Sequence, residues 1–87
     1  MNKIKSNVAI SESGFIFNPL SGESYSVNPI GGEIFNALKA DKNFDEISRE
    51  ITEKYRVDKD TFERDYGDFI SMLKQYELIE EAHEEEA

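Results

Sequence analysis

Cysteine is absent from the chain, so neither a disulfide framework nor a thiolate metal site can form. That absence fits a reducing compartment, and a cytoplasmic protein is expected. Histidine is nearly absent: His83 stands alone in an acidic run, with no partner at ligand spacing and no place in a Ser–His–Asp relay. Long apolar runs are missing too. "MNKIKSN" leads into a short strand-like pattern rather than a signal-peptide core, and no segment is long enough to span a membrane. Positive charge is scarce, with 10 Lys and Arg against 19 Asp and Glu and a net charge of −9. Phosphate binding needs clustered cations, so no nucleic-acid partner is expected. No G-x-G-x-x-G and no Lys-Ser/Thr pair is present to cradle phosphate, and the acidic residues lack the glycine turn of a calcium loop. A non-enzyme without catalytic residues, metal or cofactor is the expectation.

What is present suffices for one small domain. The 87 residues are 38% hydrophobic and 11% aromatic, enough to build a core. The run "EEAHEEEA" holds five glutamates and no Lys or Arg, and without it the remaining chain carries −4. A folded body over residues 1–79 and a solvated, unstructured tail over 80–87 are expected.

Two periodicities divide the body. "NVAISE" alternates Val8 and Ile10 with polar neighbours, "FIFN" resumes after Ser13-Gly14, and "SYSV" follows the turn-rich "PLSGE". Three strands joined by short turns, the first of two residues, predict an antiparallel meander. Helical spacing then takes over. Asn28-Pro29 reads as an N-cap and first helical residue, opening a stripe of Ile30, Ile34, Phe35 and Leu38. Gly31 and Gly32 sit in that first turn, each at a cost of about 1 kcal/mol relative to alanine. Asn43 with Glu46 predicts a capping box for a second helix with Phe44, Ile47, Ile51 and Tyr55 inward. A third helix starts near Asp58 or Asp60 and carries Phe62, Tyr66, Phe69, Ile70, Leu73 and Tyr76. "ELIE" reads as a short closing extended segment. The fold class is therefore α+β: a three-stranded antiparallel β-meander followed by three α-helices.

The ordered set resembles the PqqD family, the small peptide chaperones also called RiPP precursor recognition elements. A meander runs into a hydrophobic–Asn–Pro corner and "EIFNAL", and then "NFDEISREITEKYRVDKDTFERDYGDFISMLKQYELI". The resemblance spans about residues 7 to 79. Gly31-Gly32 stands where the family has small residues such as Thr-Ala, and Glu77-Leu78 where it commonly has Gly-Leu. The resemblance implies a winged helix-turn-helix-like fold without catalytic machinery. It also implies binding of the leader segment of a ribosomally made precursor peptide. The leader would add as a strand to the third strand, its side chains entering a groove against the third helix. A modifying enzyme such as a radical-SAM maturase, protease or cyclase would be the second partner.

Candidate contacts follow from geometry beside that resemblance. The third strand of a meander is an edge with unpaired backbone groups, which nominates Ser24, Tyr25, Ser26 and Val27. Tyr25 and Val27 are expected to point inward. On the third helix, Asp65, Met72 and Tyr76 share one flank of the stripe that holds Phe69 and Leu73. Asp65 also matches an Asp that recurs in the family. The blander reading makes Met72 and Tyr76 core fringe and Asp65 a solvated charge. Two other classes stay open. A winged-helix transcription regulator shares the architecture but wants a basic recognition helix. A carrier protein wants an Asp-Ser-Leu attachment site, whereas Ser48 follows Ile47 within a helix.

Overall fold

In the computed structural model, which describes the backbone of residues 2–81 and the side chains of residues 3–79, the chain begins with β1 (Asn2–Ile4). The meander follows as β2 (Ala9–Ile10), β3 (Phe15–Asn18) and β4 (Glu23–Ser26), antiparallel in the order β2-β3-β4. Register places Ile10 opposite Ile16 and Ile16 opposite Tyr25 on the inner face. Ala9, Phe15, Phe17, Ser24 and Ser26 share the outer face, because neighbouring strand residues point to opposite sides. Ile16 is fully buried, while Phe15 and Phe17 are about half exposed.

The first hairpin corrects the expected two-residue turn. The Ser11 N–H donates to the Phe15 carbonyl, which leaves Glu12, Ser13 and Gly14 as a three-residue loop. Gly14 takes φ +89°, as the last residue of such a loop requires, and a side chain there would meet the Val27 carbonyl at 3.1 Å. The second turn is closed by Asn18, whose side chain accepts the Leu20 N–H at 3.0 Å.

Three helices stand behind the sheet: α1 (Pro29–Lys39), α2 (Phe44–Tyr55) and α3 (Lys59–Gln75). Each begins where a polar side chain satisfies an orphan N–H. Asn28 accepts from Gly31 at 2.7 Å, and Asp58 accepts from Thr61 at 2.7 Å. Asn43 and Glu46 close a reciprocal capping box at 2.9 and 3.0 Å. The end of α3 is a Schellman motif: Leu78 N–H donates to Leu73 O at 2.8 Å and Glu77 N–H to Lys74 O at 3.0 Å. Glu77 holds φ +58°, the left-handed conformation that glycine adopts freely. The core gathers Ile16, Ile34, Phe35, Ile47, Phe62, Leu73 and Leu78, one or more from every helix and from the meander.

A second sheet went unforeseen in the sequence. β5 (Ile79–Glu81) pairs antiparallel with β1, Asn2 opposite Glu81 and Ile4 opposite Ile79. The expected extended segment is thus a paired strand, and the expected body–tail boundary at residue 79 falls inside it. Residues 82–87, with His83 and Glu84 to Glu86, lie outside the described residues. No helix among the described residues is long and apolar enough to cross a membrane.

Candidate functional site

Among the described residues, β4 pairs with β3 on one side and with no strand on the other. Which backbone groups face the open side follows from the ladder. Val27 N–H donates to Gly14 O at 2.9 Å, toward β3. Alternation along an antiparallel strand turns the N–H and C=O groups of Ser24 and Ser26 the other way, to the free edge. Both serines are exposed, whereas Tyr25 and Val27 are half-buried and lean toward the helices. Val27 itself lies just beyond β4.

The strand-to-helix corner explains one of the two glycines. A Cβ on Gly31 would stand 3.2 Å from the Phe69 ring, 3.3 Å from Val27 Cβ and 3.2 Å from Asn28 Oδ1. Gly31 therefore lets β4, α1 and α3 converge. Between the start of α1 and the middle of α3 a groove of about 310 Å³ opens, floored by Ile30, Gly31 and Ile34 and walled by Phe69 and Met72. Asp65 and Asp68 form its outer rim.

Tyr76 lies further along α3 and stacks on Tyr25 with ring centroids 4.4 Å apart and 25° between planes. This pair joins β4 to the C-terminal end of α3. The pair lines a separate shallow cavity of about 360 Å³, together with Lys5, Leu20, Glu23 and Gln75 among others. Tyr25 Oη donates to Glu23 Oε1 at 2.6 Å. That hydrogen bond to a carboxylate is the main cause pushing the phenol up to about 12, so Tyr25 stays protonated throughout the physiological range.

The structure thus places Asp65, Phe69 and Met72 on the α1–α3 groove, Val27 at the Gly31 corner beside it, and Tyr25 and Tyr76 on a separate cavity, while Ser24 and Ser26 lie along the free edge of β4. Leu73 is placed differently. It has no exposed surface and supports the cleft from within the core instead of lining it. Asn28, Ile30, Gly31, Ile34 and Asp68 are lining residues that the sequence reading did not nominate. Asp68 was within reach, since it follows Asp65 by three and precedes Met72 by four on the same helical flank. Among the described residues no group of three or more His, Cys, Asp or Glu is arranged to hold a metal ion.

Comparison with known proteins follows this geometry. The family model for PqqD, described as coenzyme PQQ synthesis protein D, matches residues 14–79. A solved structure of TbiB1 in complex with the TbiA(beta) leader peptide superposes with a TM-score of 0.79 at 28% identity, covering 94% of this chain and 99% of that one. No curated protein matches the chain. The shared architecture is the winged helix-turn-helix-like arrangement of a meander and three helices.

Proposed function

The chain belongs to the PqqD family, and on that premise we propose that it binds the leader segment of a ribosomally synthesised precursor peptide by strand addition to β4 and presents it to a modifying enzyme. The observation that carries this reading is the free edge of β4, which is tied to the end of α3 by the Tyr25–Tyr76 stack and runs toward the Gly31 corner of the α1–α3 groove. An extended guest would exchange hydrogen bonds with Ser24 and Ser26, each worth a net ~1 kcal/mol. Its inward side chains would bury apolar surface on Phe69, Met72 and the Tyr25–Tyr76 pair at about 25 cal/mol per Å². After the cost of ordering, an affinity near 1 μM, about −8 kcal/mol, is expected. Outward side chains of the guest would stand beside Ser24 and Ser26, on the face that also carries Phe15 and Phe17 and is left open to an enzyme.

In this role the protein binds and does not catalyse, acting in the cytoplasm where precursor peptides are made. The enzyme class, whether radical-SAM maturase, protease or cyclase, is a matter of the precursor's chemistry. A nucleic-acid role finds little support. α3, the helix that would enter a groove of DNA, carries four acids (Asp60, Glu63, Asp65, Asp68) against three bases (Lys59, Arg64, Lys74).

Amide-shift mapping by NMR during titration with the leader segment of the cognate precursor tests the site. Shifts are expected across residues 24–27 and along Asp65 to Tyr76. Ser26→Pro removes one outward-facing donor while sparing the β3–β4 ladder, so it should weaken binding at least roughly tenfold with the circular dichroism unchanged. Perturbations confined to α2 that spare 24–27 would refute the assignment.

A further inference from the structure

Resting on the strand-addition reading, we infer that the groove between α1 and α3 selects a leader carrying a lysine or arginine, whose aliphatic stem lies between Met72 and Phe69 and whose cationic head meets Asp65 and Asp68. The groove is apolar at its base and acidic only at its rim. Ile30, Ile34, Phe69 and Met72 supply the apolar surface, and the two carboxylates stand one helical turn apart above it. That distribution matches a side chain that buries its methylenes and keeps its charge at the water boundary.

Among the described residues no hydrogen bond or ion pair holds these carboxylates, and no Lys or Arg lines the groove. The described ion pairs are Lys42–Glu50 and Lys54–Glu33, both on other faces. Arg64 is the cation nearest in sequence to Asp65, and its charge acts on Asp58, at the opposite end of the helix's first turns. A free cation in water would gain little from two exposed carboxylates. A cation delivered on a strand already paired with β4 arrives with its position fixed, so specificity falls on that side chain. Alternation settles which one. Tyr25 stacks on Tyr76 away from the groove, whereas Val27 abuts Gly31 on its lining, so the cationic residue is the inward-facing one at the Val27 end, two residues from the side chain that rests on the tyrosines. The net charge of −9 adds a long-range field of the matching sign.

The test uses a phage-displayed library of random 12-residue peptides selected on the full chain, with the tightest binder synthesised as the probe. Binders are expected to carry Lys or Arg at one register, two residues from an apolar side chain, and to shift the amides of residues 24–27. Replacing that cation by methionine should weaken binding about five- to tenfold. Asp65→Asn with Asp68→Asn should cost the cationic peptide the same factor and the methionine peptide nothing, and raising salt from 50 to 500 mM should shrink the difference. Binders that map to β4 but show no cation at fixed register, or that bind the Asn variant equally, overturn the cation inference and leave strand addition standing. If the selected peptides leave residues 24–27 unshifted, both fall together.

Discussion

At the scale of single residues, two backbone positions are set by opposite demands. Gly31 is where strand, first helix and third helix converge, and three atoms lie within 3.3 Å of the site a Cβ would take. Gly32, its neighbour, meets only Ile10 Cδ1 at an ordinary 3.6 Å. The helix-propensity gain from alanine is the same at both, about 1 kcal/mol. Crowding against Val27 Cβ, which moves only with its backbone, cancels that gain at Gly31 alone. Gly32→Ala should therefore stabilise the fold by about 0.5–1 kcal/mol and Gly31→Ala should destabilise it, as measured by urea denaturation. A reversed order would mean that the corner is loosely packed. Glu77 poses the converse case: it occupies a left-handed C′ position at φ +58° with no glycine to ease it. Glu77→Gly should raise stability by about 1 kcal/mol while leaving the Leu78–Leu73 hydrogen bond in place.

Elements show which parts of the fold were legible. The helix starts were readable because capping is local: Asn28, Asn43 with Glu46, and Asp58 each bond an N–H three residues on. The β1–β5 ribbon was hidden, since its register joins residues far apart in sequence and Ile4 gives the short strand a single buried apolar anchor without a readable alternation. Ile4 is 4% exposed and packs in the same core as Leu38 and Leu78. Ile4→Ala should cost about 2–4 kcal/mol in urea denaturation, as a core substitution does. A loss below about 0.5 kcal/mol would mean that the ribbon is an ornament. Acid is expected to loosen the helices first at their caps and ties. Thr61 N–H, and next its hydroxyl, hold the Asp58 carboxyl below the usual range. Lys54 and then Tyr55, reaching across from α2, do the same for Glu33 on α1. A carboxylate with a depressed folded pKa contributes its full stabilisation above the unfolded value, about 4, and loses it as pH falls through the folded value. The urea midpoint should thus fall from pH 6 to pH 3. Asp58→Asn, which keeps the capping oxygen but cannot titrate, should flatten that slope; an unchanged slope would place the acid sensitivity elsewhere.

For the molecule as a whole, the cleft was half legible. Helical arithmetic put Asp65, Met72 and Tyr76 on one flank; Asp65 and Met72 line the α1–α3 groove, and Tyr76 lines the cavity it shares with Tyr25. It could not reveal that Ile30, Gly31 and Ile34 of α1 form the floor, because that meeting depends on how two helices cross, a property of the tertiary packing. Leu73 was drawn into the candidate site for the same reason, since a stripe in one dimension does not say which of its members end up under the surface.

The β1–β5 ribbon has one more consequence. Asn2 and Glu81 face each other as register partners, so the backbone enters and leaves the domain through the same doorway, about 5 Å wide. Such a module can be spliced into a surface loop of an unrelated host through residues 2 and 81 without prying the host apart. Its free β4 edge belongs to the other sheet, so the graft junction leaves that edge untouched.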